Sequence, residues 1–280
     1  MKKTITSALI IILIVLFSGC RKRDHYQVYA VKYLDGSVGS ASNIAMGADP
    51  DDSVRYCFMV WLLKGDNGKT ILVDAGYIDS SSTPDEKYVR PDLVLQRMNV
   101  SPSEITDLIL THPHWDHIGG ITLFPQATVW MQKADFEYYV GGKWQEDGHT
   151  EGFTTKNIPD ILNVKSEGRL KLVEGDNIEI MPGIRVYTGS KHSFENQYLI
   201  VNANSKNNKI LLASDASWYY YNLDHLLSVP LVIDPVAYVD ALKRMKTLVS
   251  DPDLIIPGHD DLVFSRFPKV ADWIVKIEKK

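Results

Sequence analysis

Four residues that can bind metal ions are crowded into one short stretch, Thr111-His-Pro-His-Trp-Asp-His-Ile-Gly-Gly120, which supplies His112, His114, Asp116 and His117. In an extended segment, residues two apart point the same way, so His112 and His114 can close on one ion. The tight turn that follows can swing Asp116 and His117 toward a second. Imidazole nitrogen and carboxylate oxygen suit Zn²⁺ or a similar divalent ion. By itself such a cluster is also compatible with a mononuclear site or a solvated loop. Three further residues of the right type sit just after apolar, strand-like runs: His192 after Ile184–Thr188, Asp215 after Ile210–Ala213, and His259 after Leu254–Ile256. Loops at one edge of a sheet are where sites are built on a rigid scaffold.

The elements that must position these residues can be read along the chain. Tyr26 to Leu34 alternates as a half-buried strand does, and a Gly/Ser/Asp-rich loop is expected from Gly36 to Asp52. Cys57–Leu63 and Thr70–Val73, separated by Gly65-Asp-Asn-Gly68, carry a hairpin signature. Ser101-Pro-Ser-Glu104 combines an N-cap, a proline at the first helical position and a capping-box glutamate, which predicts a short helix feeding the strand Leu108–Leu110. More strands are predicted at Thr128–Met131, Leu170–Val173 and Tyr198–Val201, the last joined to Ile210–Ala213 by a polar turn at Asn202–Asn208. Helical spacing runs from Pro235 to Val249. A final helix is expected from about Ala271, with Trp273, Ile274 and Ile277 on one face. The mixture of hairpins and βα steps, without repeats or low-complexity linkers, indicates one α/β domain.

With 280 residues, 45% hydrophobic and 23% charged, the chain has ordinary globular composition, and a net charge of −5 without any basic run excludes a nucleic-acid partner. The first twenty residues differ from the rest. Lys2-Lys3 precedes an apolar stretch from Ala8 to Phe17, too short to span a bilayer comfortably, and then Ser18-Gly19-Cys20. This resembles a bacterial lipoprotein signal in which Cys20 becomes the lipidated first residue, although Phe17 stands where that motif usually has Leu. The alternatives are an ordinary secretory signal or an uncleaved anchor. The expected organisation is a signal over 1–19, a tether over 20–28 and a single domain over 29–280, working outside the cytoplasm and touching a membrane only through its lipid. Cys57 then has no partner within the chain and reads as a buried small hydrophobe.

The motif His112-Pro-His-Trp-Asp-His117, with His192, Asp215 in Leu-Leu-Ala-Ser-Asp-Ala-Ser217 and His259 in Pro-Gly-His-Asp260, resembles the metallo-β-lactamase superfamily. The likeness runs from about Tyr29 to Phe267 and includes Ile71-Leu-Val-Asp-Ala-Gly76. It implies an αβ/βα four-layer sandwich. Within the superfamily the chain is most similar to the N-acyl homoserine lactonases. By that resemblance His112, His114 and His192 would bind a first ion and Asp116, His117 and His259 a second, with Asp215 bridging. The ions are expected to be zinc, with manganese, iron or cobalt as alternatives. A hydroxide shared by the two ions would attack the carbonyl carbon of a small-molecule lactone or ester, and Asp116 would help move a proton to the leaving oxygen. Those lactonases carry a tyrosine three residues after the bridging aspartate. Here that position is Trp218, whose indole donates but cannot ionise; Tyr219, Tyr220 or Tyr221 are the nearby phenols.

The resemblance leaves other readings open: hydrolysis of a β-lactam, thioester or phosphoester on the same site, or a weakly catalytic lipoprotein that only binds its ligand. His25, His149 and His225 have no companion ligands at useful spacing and read as structural. Asp74 and Asp260 are placed to orient ligands rather than to bind an ion. Tyr138, Tyr139, Trp144 and Phe153 flank a Gly-rich stretch from Gly141 to Gly152 that is a candidate pocket wall, with Met46 and its loop as the opposite one; a satellite core explains the aromatics equally well.

Overall fold

In the computed structural model, which describes residues 24–78, 87–203 and 209–278, two long antiparallel strands begin the fold. The first is β1 (Tyr26–Ser40) and the second β2 (Ser53–Gly65). Their register slips between Lys32 and Leu34 and again between Asp35 and Val38, so β1 bends as it runs. Gly36 to Ser40, expected as loop, thus continue β1, and only the following residues up to Asp52 lie between the strands. Strand β1 starts at Tyr26, so the fold also begins inside the segment read as a tether over 20–28. The expected hairpin is present, with β3 (Thr70–Val73) antiparallel to β2 through Trp61↔Val73 and Lys64↔Thr70. Beyond β3 come the parallel strands β5 (Asp107–Ile109), β6 (Thr128–Gln132) and β7 (Leu170–Val173). The two-residue β4 (Lys87–Tyr88) pairs with β1.

A second sheet has five strands, β8 (Ile178–Met181), β9 (Ile184–Tyr187), β10 (Tyr198–Asn202), β11 (Lys209–Ser214) and β12 (Ile255–Pro257). Strands β11 and β12 are parallel. The C-terminal helix expected from about Ala271 is not formed. Lys269–Ala271 is β13 and Ile274–Ile277 is β14, which pairs with β1 through Val28↔Ile277 and Val31↔Ile274. The β-branched Ile274, Val275 and Ile277 favour a strand, and an open edge of β1 satisfies their backbone groups.

The central strands of the large sheet are buried on both faces. Trp61, Leu63, Ile71 and Val73 face the small sheet, while Val60, Leu62 and Leu72 face the other way, against Val94, Ile118, Ile161 and Val164. The helix Pro235–Leu248 buries Tyr238, Leu242 and Met245 into the first of these clusters, and Asp234 caps it by accepting from the N–H groups of Val236 and Ala237. Helix, sheet, sheet and helix make four layers, as expected. The predicted short helix at Ser101 is a single 3₁₀ turn over Pro102–Glu104, with its capping box formed. Residues 1–23 lie outside the described residues, and with them the signal and Cys20; so does 204–208, most of the turn read between β10 and β11.

Candidate metal centre

Parallel strands deliver their C-terminal ends to one edge, and the candidate ligands collect there. Strand β3 ends at Asp74, β5 leads through Thr111 into the histidine motif, β11 ends beside Asp215, and β12 ends beside His259. His114 adopts an extended conformation and starts a short helix, Trp115–Ile118, that turns Asp116 and His117 inward. Gly152 packs against the His114 ring, where an added Cβ would lie 2.8 Å from Cγ. Gly258 packs as closely, with an added Cβ only 2.9 Å from Asp215 Oδ1. Each glycine gives the backbone an approach that a side chain would block.

All seven predicted residues come together, and all are buried. The ligand atoms of His112, His114, His192 and Asp215 lie within 4.8 Å of one another, as do those of Asp116, His117 and His259. The two groups meet at one carboxylate. Asp215 Oδ2 lies 3.2 Å from His192 Nε2 and 3.8 Å from His112 Nε2; Oδ1 lies 2.9 Å from His259 Nε2 and 3.1 Å from His117 Nε2. Asp116 Oδ2 is 3.4 Å from His117 Nε2 and 3.8 Å from His259 Nε2.

Four rings are anchored from behind through Nδ1. His112 Nδ1 meets Thr111 Oγ1 at 3.0 Å, His117 Nδ1 meets Asp74 Oδ2 at 2.8 Å, His192 Nδ1 meets the Leu231 carbonyl at 2.8 Å, and His259 Nδ1 meets that of Cys57 at 3.2 Å. A proton held on Nδ1 leaves the Nε2 lone pair for the centre. His114 is turned the other way, with its Nδ1 3.1 Å from His192 Nε2. The Nε2 atoms of His112 and His117 are buried without a hydrogen-bond partner. Buried polar atoms seldom go unpaired. Nitrogen lone pairs and carboxylates converging on two small volumes are a donor set for divalent cations, so these residues fit a two-ion centre.

Asp74 carries the scaffold behind the ligands, as its place in the sequence implied. It accepts from the Thr111 N–H at 2.8 Å and from the hydroxyls of Thr111 and Ser214 at 2.9 Å and 3.1 Å, besides facing His117. Asp74 and Ser214 both have left-handed backbones, at φ 62° and 46°. Such strain persists only where the surroundings impose it, and these contacts do so. Asp260 accepts from the N–H groups of Tyr220 and Leu262 and touches no ligand ring. The loop bearing His192 is clamped by Asp135, which accepts from Ser193 Oγ at 2.9 Å and the Glu195 N–H at 2.7 Å. Burial pushes the Asp135 carboxyl up to about 7 against the pull of those two donors.

Over the centre lies a cavity of about 280 Å³. Trp218 and Tyr219 line it, together with Ile44 from the loop that carries Met46 and with Tyr56, Phe58, Trp115 and Leu231, which sequence reasoning did not single out. Tyr220 is buried under the Arg266 guanidinium, and the Tyr221 hydroxyl donates to Asp52, so neither phenol enters. Met46 itself lines a separate surface groove, but Ile44 of its loop and Gly152 at the end of the Gly-rich stretch do line the cavity, while Tyr138 stacks on Phe194 and Tyr139 packs on Phe153 behind it. His149 and His225 are exposed, and His25 sits beside Asp66, away from the cluster.

Charge in the centre follows from burial and mutual proximity. Burial, then the neighbouring histidines, hold His112 and His114 well below the usual imidazole range, so both are neutral and ligand-ready. Burial acts the same way on His117 and His259, but Asp215 and Asp116 outweigh it and raise both, His117 strongly. Burial would raise Asp215 and Asp116, and His259 and His117 instead hold both low.

A family model described as Metallo-beta-lactamase superfamily matches residues 51–192. An N-acyl homoserine lactonase of Bacillus thuringiensis is 27% identical over 237 residues, which is 78% of this chain and 87% of the relative. The N-acyl homoserine lactonase AttM of Rhizobium radiobacter is 25% identical over 195 residues, 64% of this chain and 67% of the relative. A crystal structure of a quorum-quenching N-acyl homoserine lactone lactonase superposes with a TM-score of 0.68 at 24% identity, over 87% of this chain and 96% of the other. AidC, a dizinc quorum-quenching lactonase in complex with a product, superposes with a TM-score of 0.63 at 16% identity, over 84% and 90%. At these identities the superpositions establish the fold.

In the metal-free protein, protonated His117 and His259 stabilise the fold at low pH, and that contribution is lost as pH rises through their raised pKa values. Capacity for cations runs the opposite way. Zinc binding near pH 7 is expected to release protons, and affinity to fall as pH drops below the raised pKa values of His117 and His259. Calorimetry in buffers of different ionisation enthalpy measures this; binding without proton release and independent of pH would contradict the assignment.

Proposed function

This chain is a metal-dependent hydrolase belonging to the metallo-beta-lactamase superfamily, and from that premise we propose that it opens the ester bond of a lactone, an N-acyl homoserine lactone first among the choices. The observation that carries this reading is the apolar cavity set directly over the two ligand groups. Ile44, Tyr56, Phe58, Trp115 and Leu231 line it, and no Lys or Arg does so among the described residues. Such a wall suits a neutral acyl chain. A β-lactam carries a carboxylate besides its reacting amide, and this wall offers no Lys or Arg to hold it.

His112, His114 and His192 would hold one ion, Asp116, His117 and His259 the other, and Asp215 both, with zinc the first candidate. When bound, such a pair supplies Lewis acidity and lowers the pKa of a water toward neutrality. The chain's own residues do the rest. Asp215 fixes the two ligand groups in register through its two oxygens. Asp116 lies both against His117 and on the cavity wall, where its carboxylate can receive a proton and pass it to the departing alkoxide. Trp115, 39% exposed and packed edge-on against Phe58 and Tyr77, shields one side of the cavity from water. Burial keeps the Tyr219 phenol protonated, well above its usual range.

The lactone reading is tested by mass spectrometry of the 21–280 chain, loaded with two zinc ions, acting on N-hexanoyl- and N-decanoyl-homoserine lactone. Addition of one water, reduced at least about 100-fold by His114→Ala, is the expected outcome. No ring opening by the fully loaded protein would overturn it.

We further propose that Cys20 carries a lipid and that the protein is a membrane-anchored lipoprotein outside the cytoplasm. The support is the pattern Lys2-Lys3, Ala8 to Phe17, Ser18-Gly19-Cys20. Asp24, the first described residue, accepts from Asn67 Nδ2 in the β2–β3 turn, at the opposite end of those strands from Asp74. Cys20→Ala is expected to shift the protein from the membrane to the soluble fraction; unchanged membrane association would refute the lipid anchor.

A further inference from the structure

Trp218 stands where the resemblance to the lactonases places a tyrosine, and its indole is aimed at the ligands rather than only at the cavity. Trp218 Nε1 donates to Asp215 Oδ2 at 2.6 Å, the oxygen that faces His192 and His112. The backbone of the same residue accepts from the His259 N–H at 2.9 Å. The ring lies edge-on to His192 and His259, with centroids 5.7 Å and 6.0 Å away. A tight turn makes this reach possible, since Ala216 and Ser217 donate back to Ala213 and Ser214, and the Gly258 N–H then closes on Ser217.

We propose that Trp218 is a positioning residue for the metal bridge, in which the indole N–H holds one oxygen of Asp215 and the main chain holds His259, so that one side chain and its backbone set both ligand groups. A hydrogen bond to a carboxylate is charge-assisted and directional. It fixes the rotation of the Asp215 carboxylate before any ion arrives, so the ordering cost is met in folding rather than in metal uptake. An indole has only a donor. It cannot exchange a proton with a leaving group, which sets its role apart from that of an ionisable phenol and leaves Asp116 as the proton carrier on the cavity wall.

This inference rests on the two-ion reading of the site and is independent of the substrate. Trp218→Phe keeps an apolar wall and removes the N–H, and chelator competition then reads zinc affinity for wild type and variant. The expected result is two ions bound by the wild type and a loss of about 10- to 100-fold in affinity for at least one of them in the variant, with kcat lowered and KM little changed. A residue that merely walled the cavity would raise KM and leave affinity alone, and that outcome would overturn the proposal. A wild type that bound no zinc would instead refute the two-ion reading. The hydrogen bond itself is read without metal, by labelling the six tryptophans with ¹⁵N. The indole signal missing from Trp218→Phe should exchange slowly with water and should lose that protection in Asp215→Ala. Rapid exchange, indifferent to Asp215→Ala, would refute the contact, and Trp218→Tyr supplies the same assignment should the phenylalanine variant fail to fold.

Discussion

The structure depends on a single buried carboxylate shared between two sets of histidines. Asp215 turns one oxygen toward His112 and His192 and the other toward His117 and His259. Burying so many ionisable groups together is costly unless each is satisfied from outside the cluster. Here the satisfaction is built in. Thr111, Asp74, and the carbonyls of Leu231 and Cys57 hold the outer nitrogens of four rings, and Trp218 holds the carboxylate. What stays unpaired is aimed inward, where cations complete the balance.

The two-sheet architecture exists in the form that this cluster requires. Strands β3 and β5 in one sheet and β11 and β12 in the other are parallel pairs whose C-terminal ends lie at a common edge. The loops that follow them carry Asp74, the histidine motif, Asp215 and His259. Strand β2 enters from the opposite direction, and its Cys57 N–H donates to the His259 carbonyl, tying the cavity wall at Tyr56 and Phe58 to the ligands. The sheets also explain the tolerance for strain. Asp74 and Ser214 hold left-handed backbones at the point where both sheets converge, and each is locked by hydrogen bonds to the other's sheet.

Much of this was legible before any coordinates because metal binding imposes residue type and short spacing together. His112, His114, Asp116 and His117 announce themselves within six residues, and the apolar runs before His192, Asp215 and His259 mark strand ends. The cavity wall left no such signal. Tyr56, Phe58, Trp115 and Leu231 are scattered apolar residues that look like any core position until the chain is folded. The C-terminal segment misled for a related reason. Trp273, Ile274 and Ile277 fit one face of a helix, and what decides for a strand is the free edge of β1, where Val31 meets Ile274 and Val28 meets Ile277 from the far end of the chain, invisible locally. Trp218 was visible as a departure from the lactonase pattern, but its hydrogen bond to Asp215 depends on a turn whose register the sequence does not reveal.

The most direct test of the central claim is the metal stoichiometry of the purified chain after complete stripping and reloading, measured by elemental analysis for the wild type and for Asp215→Ala. The shared-carboxylate account predicts two tightly held ions per wild-type chain and weakened binding of both in the variant, because each ligand group loses an oxygen. One ion per wild-type chain, or two ions retained undiminished by Asp215→Ala, would contradict it.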